Sequence, residues 1–356
     1  MSAEQGIPCL WMRGGTSKAA VFLASDLPPD DTARDRLLLR IMGSPDPRQI
    51  DGIGGGDPLS SKVAILSPPS RPDADVDYLF LQVFVDKARV TATQPCGNIL
   101  AAVGPAAIER ALVPAQDGET ALRIHMRNTG EIAQAIVQTP ARCVSYEGSS
   151  RIDGVPGAHA AVRLVFRNIA GTVCGAMLPS GHACDRIDGI ACTLIDHGMP
   201  VVLLAATDLG ISGQESPEAL EAMDDLKARI ESIRLQAGSM MGLGDVSAQS
   251  IPKMALLSAP AQGGVIATRF FIPHHVHRSI GALAAVSVAA GCVLPGSVAQ
   301  PLAVLPQKAQ FGVEHPSGIT EILLEGDGAE IHAAGFVRTA RKLMDGRVFP
   351  APEPLA

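Results

Sequence analysis

The sequence predicts an α+β protein of two duplicated halves, each a mostly antiparallel sheet wrapped around a central hydrophobic helix. Three observations carry this expectation. The chain has 356 residues, which suits two domains of roughly 150 to 180 residues better than one. Three short motifs recur in the same order. Lys62-Val-Ala-Ile-Leu-Ser-Pro-Pro69 is echoed by Lys253-Met-Ala-Leu-Leu-Ser-Ala-Pro260, Leu100-Ala-Ala-Val103 by Leu283-Ala-Ala-Val286, and Ala24-Ser-Asp-Leu27 by Ala206-Thr-Asp-Leu209. The offsets are 191, 183 and 182 residues, nearly constant, as a duplication requires. Finally, each half holds one Ala-rich segment that is apolar nearly all round, the mark of a helix buried on most sides.

In the first half, Ala19–Leu23, Val63–Leu66 and Val76–Val85 have the β-branched and apolar content of strands. Arg34–Met42 has helical character, and Cys96–Ala111 is the first core helix, with Pro105 expected to kink it. In the second half, Val201–Ala205, Met254–Leu257 and Val265–Phe271 read as strands. Glu218–Gln236 reads as one amphipathic surface helix, and Ser279–Cys292 as the second core helix. The boundary is expected within Gly171–Asp188, giving domains 1–178 and 179–356. The Pro-rich tail after Gly346 is expected to be peripheral.

Composition excludes several classes. Hydrophobic residues make up 47% and charged residues 18%, far from the signature of disorder. Aromatics are only 3%, so the core must rest on Ala, Val, Leu and Ile. A net charge of −7 without a run of five Lys or Arg argues against a nucleic-acid surface. The seven cysteines lack any CxxC pair, so neither a disulfide framework nor a zinc ribbon is expected. The opening residues lack the basic-then-apolar pattern of a secretory signal. Ser279–Ala299 is free of charge for 21 residues, but it is rich in Ala and Gly and broken by Pro295. A buried helix suits it better than a membrane span. The expectation is a cytoplasmic protein with no nucleic-acid partner and no membrane.

The duplication makes residues comparable. An offset of 183 sets Cys96 opposite Ser279, each at the start of its core helix. Free N–H groups there favour carboxylates, and the helix dipole lowers a thiol's pKa. Equally, Cys96 can be a small hydrophobe and Ser279 an N-cap. Gly97 after the thiol leaves room for a ligand at the backbone. Lys62 and Lys253 form the second pair, each opening an apolar strand where desolvation would favour the neutral amine, unless the side chain snorkels to water. The Gly52–Ser61 stretch before Lys62 carries three consecutive glycines, suited to backbone passing close to a ligand. It is neither a dinucleotide fingerprint nor a P-loop. Arg13-Gly-Gly-Thr-Ser-Lys18 supplies charge and hydroxyls for a carboxylate, or is simply a polar turn into the next strand. His274, His275 and His277 sit without a nearby carboxylate, poor metal-ligand spacing, so no metal is expected.

Met12-Arg-Gly-Gly-Thr-Ser-Lys18, Gly43-Ser-Pro-Asp46, Asp51-Gly-Ile-Gly-Gly, Ser61-Lys62-Val-Ala, Cys96-Gly-Asn98 and His315-Pro-Ser-Gly318 together resemble the PrpF-type isomerases. The resemblance runs over almost the whole chain. It implies the diaminopimelate epimerase-like fold, two pseudo-symmetric domains with the site in the cleft, and a cofactor-independent isomerase. It also implies Lys62 and Cys96 as the acid/base pair. Around them, Arg13, Thr16, Ser17, Ser61, Gly97, Asn98, Lys253, Arg278, Ser279 and Gly281 are the expected substrate-binding residues. Epimerases of this fold carry a second Cys where this chain has Ser279. A two-thiol racemase is therefore disfavoured, because an unassisted hydroxyl is too weak an acid or base. The expected partner is a small unsaturated polycarboxylate, a tricarboxylate for preference, since three N–H-rich or cationic subsites can be counted. A homodimer is left open.

Overall fold

The structure, a computed structural model, describes residues 6–92, 96–167, 169–306, 310–327 and 330–352. In chain order the elements are β1 (Ile7–Gly14), β2 (Ser17–Leu23), α1 (Asp31–Met42), β3 (Lys62–Ser67), β4 (Val76–Val83), β5 (Val90–Thr91), α2 (Gly97–Glu109), β6 (Gly118–Met126), β7 (Glu131–Thr139) and β8 (Ala161–Arg167). There follow β9 (Asp185–Ile187), β10 (Ile190–Asp196), β11 (Pro200–Ala205), α3 (Pro217–Glu221), α4 (Asp224–Met240), β12 (Lys253–Ser258), β13 (Ile266–Ile272), β14 (His275–His277) and α5 (Ala282–Val293). The chain ends through β15 (Gln310–His315), β16 (Gly318–Asp327) and β17 (Glu330–Val348).

The pairing pattern repeats. In the first unit β1 and β2 form an antiparallel hairpin, β2 runs parallel to β3, β3 antiparallel to β4, β4 parallel to β6, and β6 and β7 close a second hairpin. In the second unit β10–β11, β11–β12, β12–β13, β13–β15 and β15–β16 reproduce the same order of senses. Even the register agrees, since Ala19 pairs with Lys62 and Val201 with Lys253.

Each sheet wraps one helix. Helix α2 touches β1, β2, β3, β4, β6 and β7, and every residue from Ile99 to Ala107 is buried. Helix α5 plays that part against β10, β11, β15 and β16. The opposite faces are covered too. Leu38, Ile41 and Met42 of α1 pack on Phe22, Val63 and Ile65. Leu226, Ile230, Ile233 and Ala237 of α4 pack on Val202, Leu204 and Met254. Strands buried on both faces explain why β3 and β11 read as unbroken apolar runs. Each fully buried Ile, Leu or Val stabilises by about 1.5–3 kcal/mol.

Three expectations change. The two units are Met1–Leu164 with Val337–Ala356, and Val165–Phe336, rather than a division at 178/179. The cause is β17, whose first residues pair with β16 but whose later ones pair with β1, from Gly14–Ala340 to Ile7–Val348. Val348 is buried, so the peripheral tail begins after it, at the exposed Phe349. Glu218–Gln236 is two helices. Ser216 caps α3 with Pro217 in its first turn, and Met223, with non-helical dihedrals, separates it from α4. Pro105 lies inside helix α2.

Candidate active site

In the first unit the β1–β2 turn is pressed onto the start of α2. Gly15 adopts φ +51°, and a Cβ there would collide with the Asn98 side chain. The Asn98 amide in turn donates to Thr16 Oγ1 at 3.0 Å. Arg13 Nη1 donates to Gly15 O, Thr339 O and Thr339 Oγ1 at 2.9, 3.0 and 2.9 Å. Arg13 thus ties the turn to β17, and its buried Nη2 has no partner among the described residues. Burial, followed by the charge of Arg341, lowers its pKa. Ser17 Oγ is likewise buried and unpartnered there. Cys96 is the half-buried N-cap residue of α2, its carbonyl accepting from Leu100 N, and Gly97 and Asn98 form the first helical turn.

Lys62 opens β3 at 8% exposure. Its Nζ donates to Gln82 Oε1 at 2.7 Å and lies 5.3 Å from the centre of the Phe80 ring. Its partner is therefore an amide, not a carboxylate. The Gln82 amide nitrogen donates to Pro58 O and Ser61 O, which turns the oxygen toward the lysine. Gln82, Phe80 and Tyr78 alternate along β4, so they share one face. Tyr78 Oη is buried without a partner among the described residues. Burial first, and its electrostatic interaction with Cys96 second, push its pKa well up. One face of β4 thus connects Lys62 to the surroundings of Cys96.

Two first-unit expectations are corrected. Ser61 is 0% exposed, donates to Val83 O at 2.9 Å and accepts from Gln49 Nε2 at 2.7 Å. Its hydroxyl serves the loop. The glycines before Lys62 also answer to the protein itself. A Cβ on Gly52 would meet the Met42–Gly43 backbone, and one on Gly54 or Gly55 would meet Gln49 or Ser60.

In the second unit Lys253 opens β12, half-buried, and burial together with the Arg234 charge pushes its pKa down to about 8. Arg234, fully buried on α4, donates to the carbonyls of Val246, Gln249 and Ile251 and pairs with Glu231. It anchors the loop that delivers Lys253. Ser279 is not at the helix start. The N-cap of α5 is Gly281, two residues later, so Ser279 and Cys96 are not equivalent in place. Ser279 N donates to His277 Nδ1 at 2.9 Å, and its Oγ lies 3.4 Å from His315 Nε2. The exposed Arg278 pairs with Glu218 at 2.9 Å, a surface pair of little energetic weight. His275 faces Glu221 and His274 faces Glu231, so the three imidazoles diverge to separate partners.

Sequence reasoning missed Gln82, Phe80 and Tyr78, although the alternation of β4 marked them as one face. It missed Gln49, Thr339 and Arg234, whose partners are distant in sequence. His315 was noticed only as part of a motif.

A sheet-wrapped helix built twice is the diaminopimelate epimerase-like fold, and the relatives named next make the chain an isomerase. The chain belongs to the PrpF family, whose model, described as PrpF protein, matches residues 4–351. It is 56% identical to the (4E)-oxalomesaconate Delta-isomerase of Novosphingobium sp. (strain KA1), over 96% of this chain and 97% of that protein. It is also 56% identical to the 4-oxalomesaconate tautomerase of Pseudomonas putida (strain KT2440), over 96% and 95%. The crystal structure of a methylitaconate-delta-isomerase superposes with a TM-score of 0.92 at 32% identity, covering 97% of this chain and 95% of that one.

Proposed function

We propose that this isomerase interconverts the keto and enol forms of 4-oxalomesaconate by Lys/Cys proton transfer that needs no cofactor. The observation that carries the reading is Lys62, a buried amine held by an amide oxygen and an aromatic face instead of a carboxylate. Among the described residues this amine forms no ion pair that would have to be broken before it meets a substrate. The names of the two relatives at 56% identity support the substrate.

Lys62 removes a proton from carbon made acidic by the neighbouring carbonyl and carboxylates. The N–H groups of Gly97 and Asn98, unpaired within the first helical turn, are suited to the developing negative charge. Cys96 handles the proton at the far end of the conjugated system. Arg13 through Nη2, Thr16, Ser17, Lys253, Arg278, Ser279 and Gly281 remain candidates for contacts with the substrate carboxylates. Each such charge-assisted hydrogen bond contributes about 1.5–3 kcal/mol, which favours a tricarboxylate.

A second reading has the equal identity of the Novosphingobium relative behind it. There a carbon–carbon double bond shifts and the second proton lands on carbon. Cis–trans isomerisation of 2-methylaconitate is a more distant alternative, since a 2-methyl-aconitate isomerase of Shewanella oneidensis is 34% identical. The test is to offer purified enzyme 4-oxalomesaconate and 2-methylaconitate, follow each by ultraviolet absorbance, and identify the products by proton NMR. Enol 4-oxalomesaconate is the expected main product, and Lys62→Met is expected to lose at least about 100-fold in kcat. Wild-type turnover by Lys62→Met would refute the base assignment, and faster turnover of 2-methylaconitate would refute the substrate.

A further inference from the structure

The Gln82 amide is held so that its oxygen faces Lys62. Its Nε2 donates to Ser61 O at 2.9 Å, Pro58 O at 3.1 Å and Val83 O at 3.3 Å. Reversing the amide would set Oε1 against these carbonyl oxygens, none of which can donate. The acceptors are themselves braced. Asp57 caps the short turn that carries Pro58, its Oδ1 accepting from Leu59 N at 2.7 Å. Ser61 Oγ donates to Val83 O at 2.9 Å and accepts from Gln49 Nε2 at 2.7 Å, while Gln49 Oε1 accepts from Gly56 N at 3.0 Å. The glycine-rich stretch before Lys62 therefore builds a bracket around the Gln82 amide, all of it inside the first unit.

That bracket limits the directions open to the Lys62 nitrogen, which is tetrahedral. One direction is the bond to Cε. Gln82 Oε1, 2.7 Å away, takes the second. The Phe80 ring, its centre 5.3 Å away, takes the third, where an N–H meets the π face. A neutral amine has two hydrogens, so both are engaged and the lone pair fills the direction that remains. We propose that Gln82 is the positioning residue for Lys62, fixing rotation about the Cε–Nζ bond so that the lone pair points along that remaining direction. This rests on the tautomerase reading above and deepens it. In the keto-to-enol direction a substrate C–H bond breaks and its electron pair stays with the substrate as the enolate. The proton forms the third N–H bond of the ammonium. The two earlier N–H contacts persist through the step, so the amine reacts without being reoriented.

Two substitutions separate the position of the amine from its reactivity. Gln82→Met keeps the length of the side chain and removes the acceptor, so the amine keeps its chemistry and loses its bearing. Gln82→Glu keeps the shape and sets a negative charge against Nζ, which favours the ammonium. Cyanate, a small reagent that carbamylates only neutral amines, reads the second property without any substrate present.

The experiment measures kcat and KM for enolisation of keto 4-oxalomesaconate by wild type, Gln82→Met, Gln82→Glu and Phe80→Leu. The rate at which cyanate carbamylates Lys62 is followed in parallel by mass spectrometry of the peptide that contains it. Gln82→Met is expected to lose at least about tenfold in kcat, with KM changed less than about threefold and Lys62 carbamylated no slower than about half the wild-type rate. Gln82→Glu is expected to slow carbamylation of Lys62 at least about tenfold. Wild-type kcat in Gln82→Met, or wild-type carbamylation in Gln82→Glu, would overturn the proposal. So would a parallel loss of kcat and carbamylation in Gln82→Met, because the amine itself would then have changed and not its bearing. If Gln82→Met does not fold, Phe80→Leu decides. It is expected to lose at least about threefold in kcat with carbamylation kept, and wild-type kcat there overturns the proposal. If wild type does not act on 4-oxalomesaconate, the substrate reading has failed. The Gln82–Lys62 link is then judged by carbamylation of Gln82→Glu alone.

Discussion

Lys62 and Lys253 hold the same register in the two units, yet they meet different neighbours. Lys62 has an amide and an aromatic face, whereas Lys253 has burial and the guanidinium of Arg234. For Lys253 the consequence is measurable. Its ammonium is disfavoured in the folded protein, with a pKa near 8 against 10.5 unfolded. Between those values the unfolded chain binds more protons, so stability rises with pH across the window. Wild type is expected to gain stability relative to Lys253→Met as pH is raised from about 8 to about 10.5. Urea unfolding at both ends of that range checks it, and parallel behaviour of the two proteins would count against the depressed pKa. At this scale both lysines were legible, because a duplicated strand start is visible in residue order. The role of Ser61 was not. Its hydroxyl is claimed by Gln49 and by Val83 O, groups 12 and 22 residues away.

The turn between β10 and β11 shows the same lesson for an element. Asp196 anchors it, its Oδ2 accepting from Val173 N and Cys174 N at 2.8 Å each. His197 beside it is 1% exposed, and neither ring nitrogen has a partner among the described residues. Burial lowers its pKa to about 4. The unfolded chain therefore binds more protons between about pH 6.5 and 4, and stability falls as pH drops through that window. The limiting loss is roughly 3 kcal/mol. Asp196, whose pKa burial raises, acts in the opposite sense. His197→Leu is expected to flatten the loss when urea unfolding is compared at pH 7 and pH 4.5, and an unaltered slope would contradict it. The core helices were legible from their all-apolar composition. The two-residue delay in the start of α5 was not, because the residues before Gly281 are taken up by β14 and by the bond from Ser279 N to His277 Nδ1.

Across the whole molecule, β17 is where chain order and fold part company. Its second half supplies the outer partner of β1, and Glu109 at the end of α2 and Arg110 just after it pair with Lys342 and Asp345 on it. Ending the chain at Phe336 would leave the N–H and C=O groups of β1 unpaired on that side. The amides of Ile7–Gly14 are expected to lose most of their hydrogen-exchange protection in such a protein. Retained protection would show that β17 is dispensable to the first unit.

The sequence by itself determined the duplication, the two apolar helices and the lysine that opens each parallel strand. These follow from periodicity and composition, which act between near neighbours in the chain. The tertiary structure alone decided which polar groups meet: Lys62 with Gln82, Ser279 with His315, and β17 with β1. Such meetings join residues 20 to more than 300 positions apart. No local pattern encodes them, because hydrophobic burial sets the strand order and the polar side chains then pair with whatever that order brings within reach.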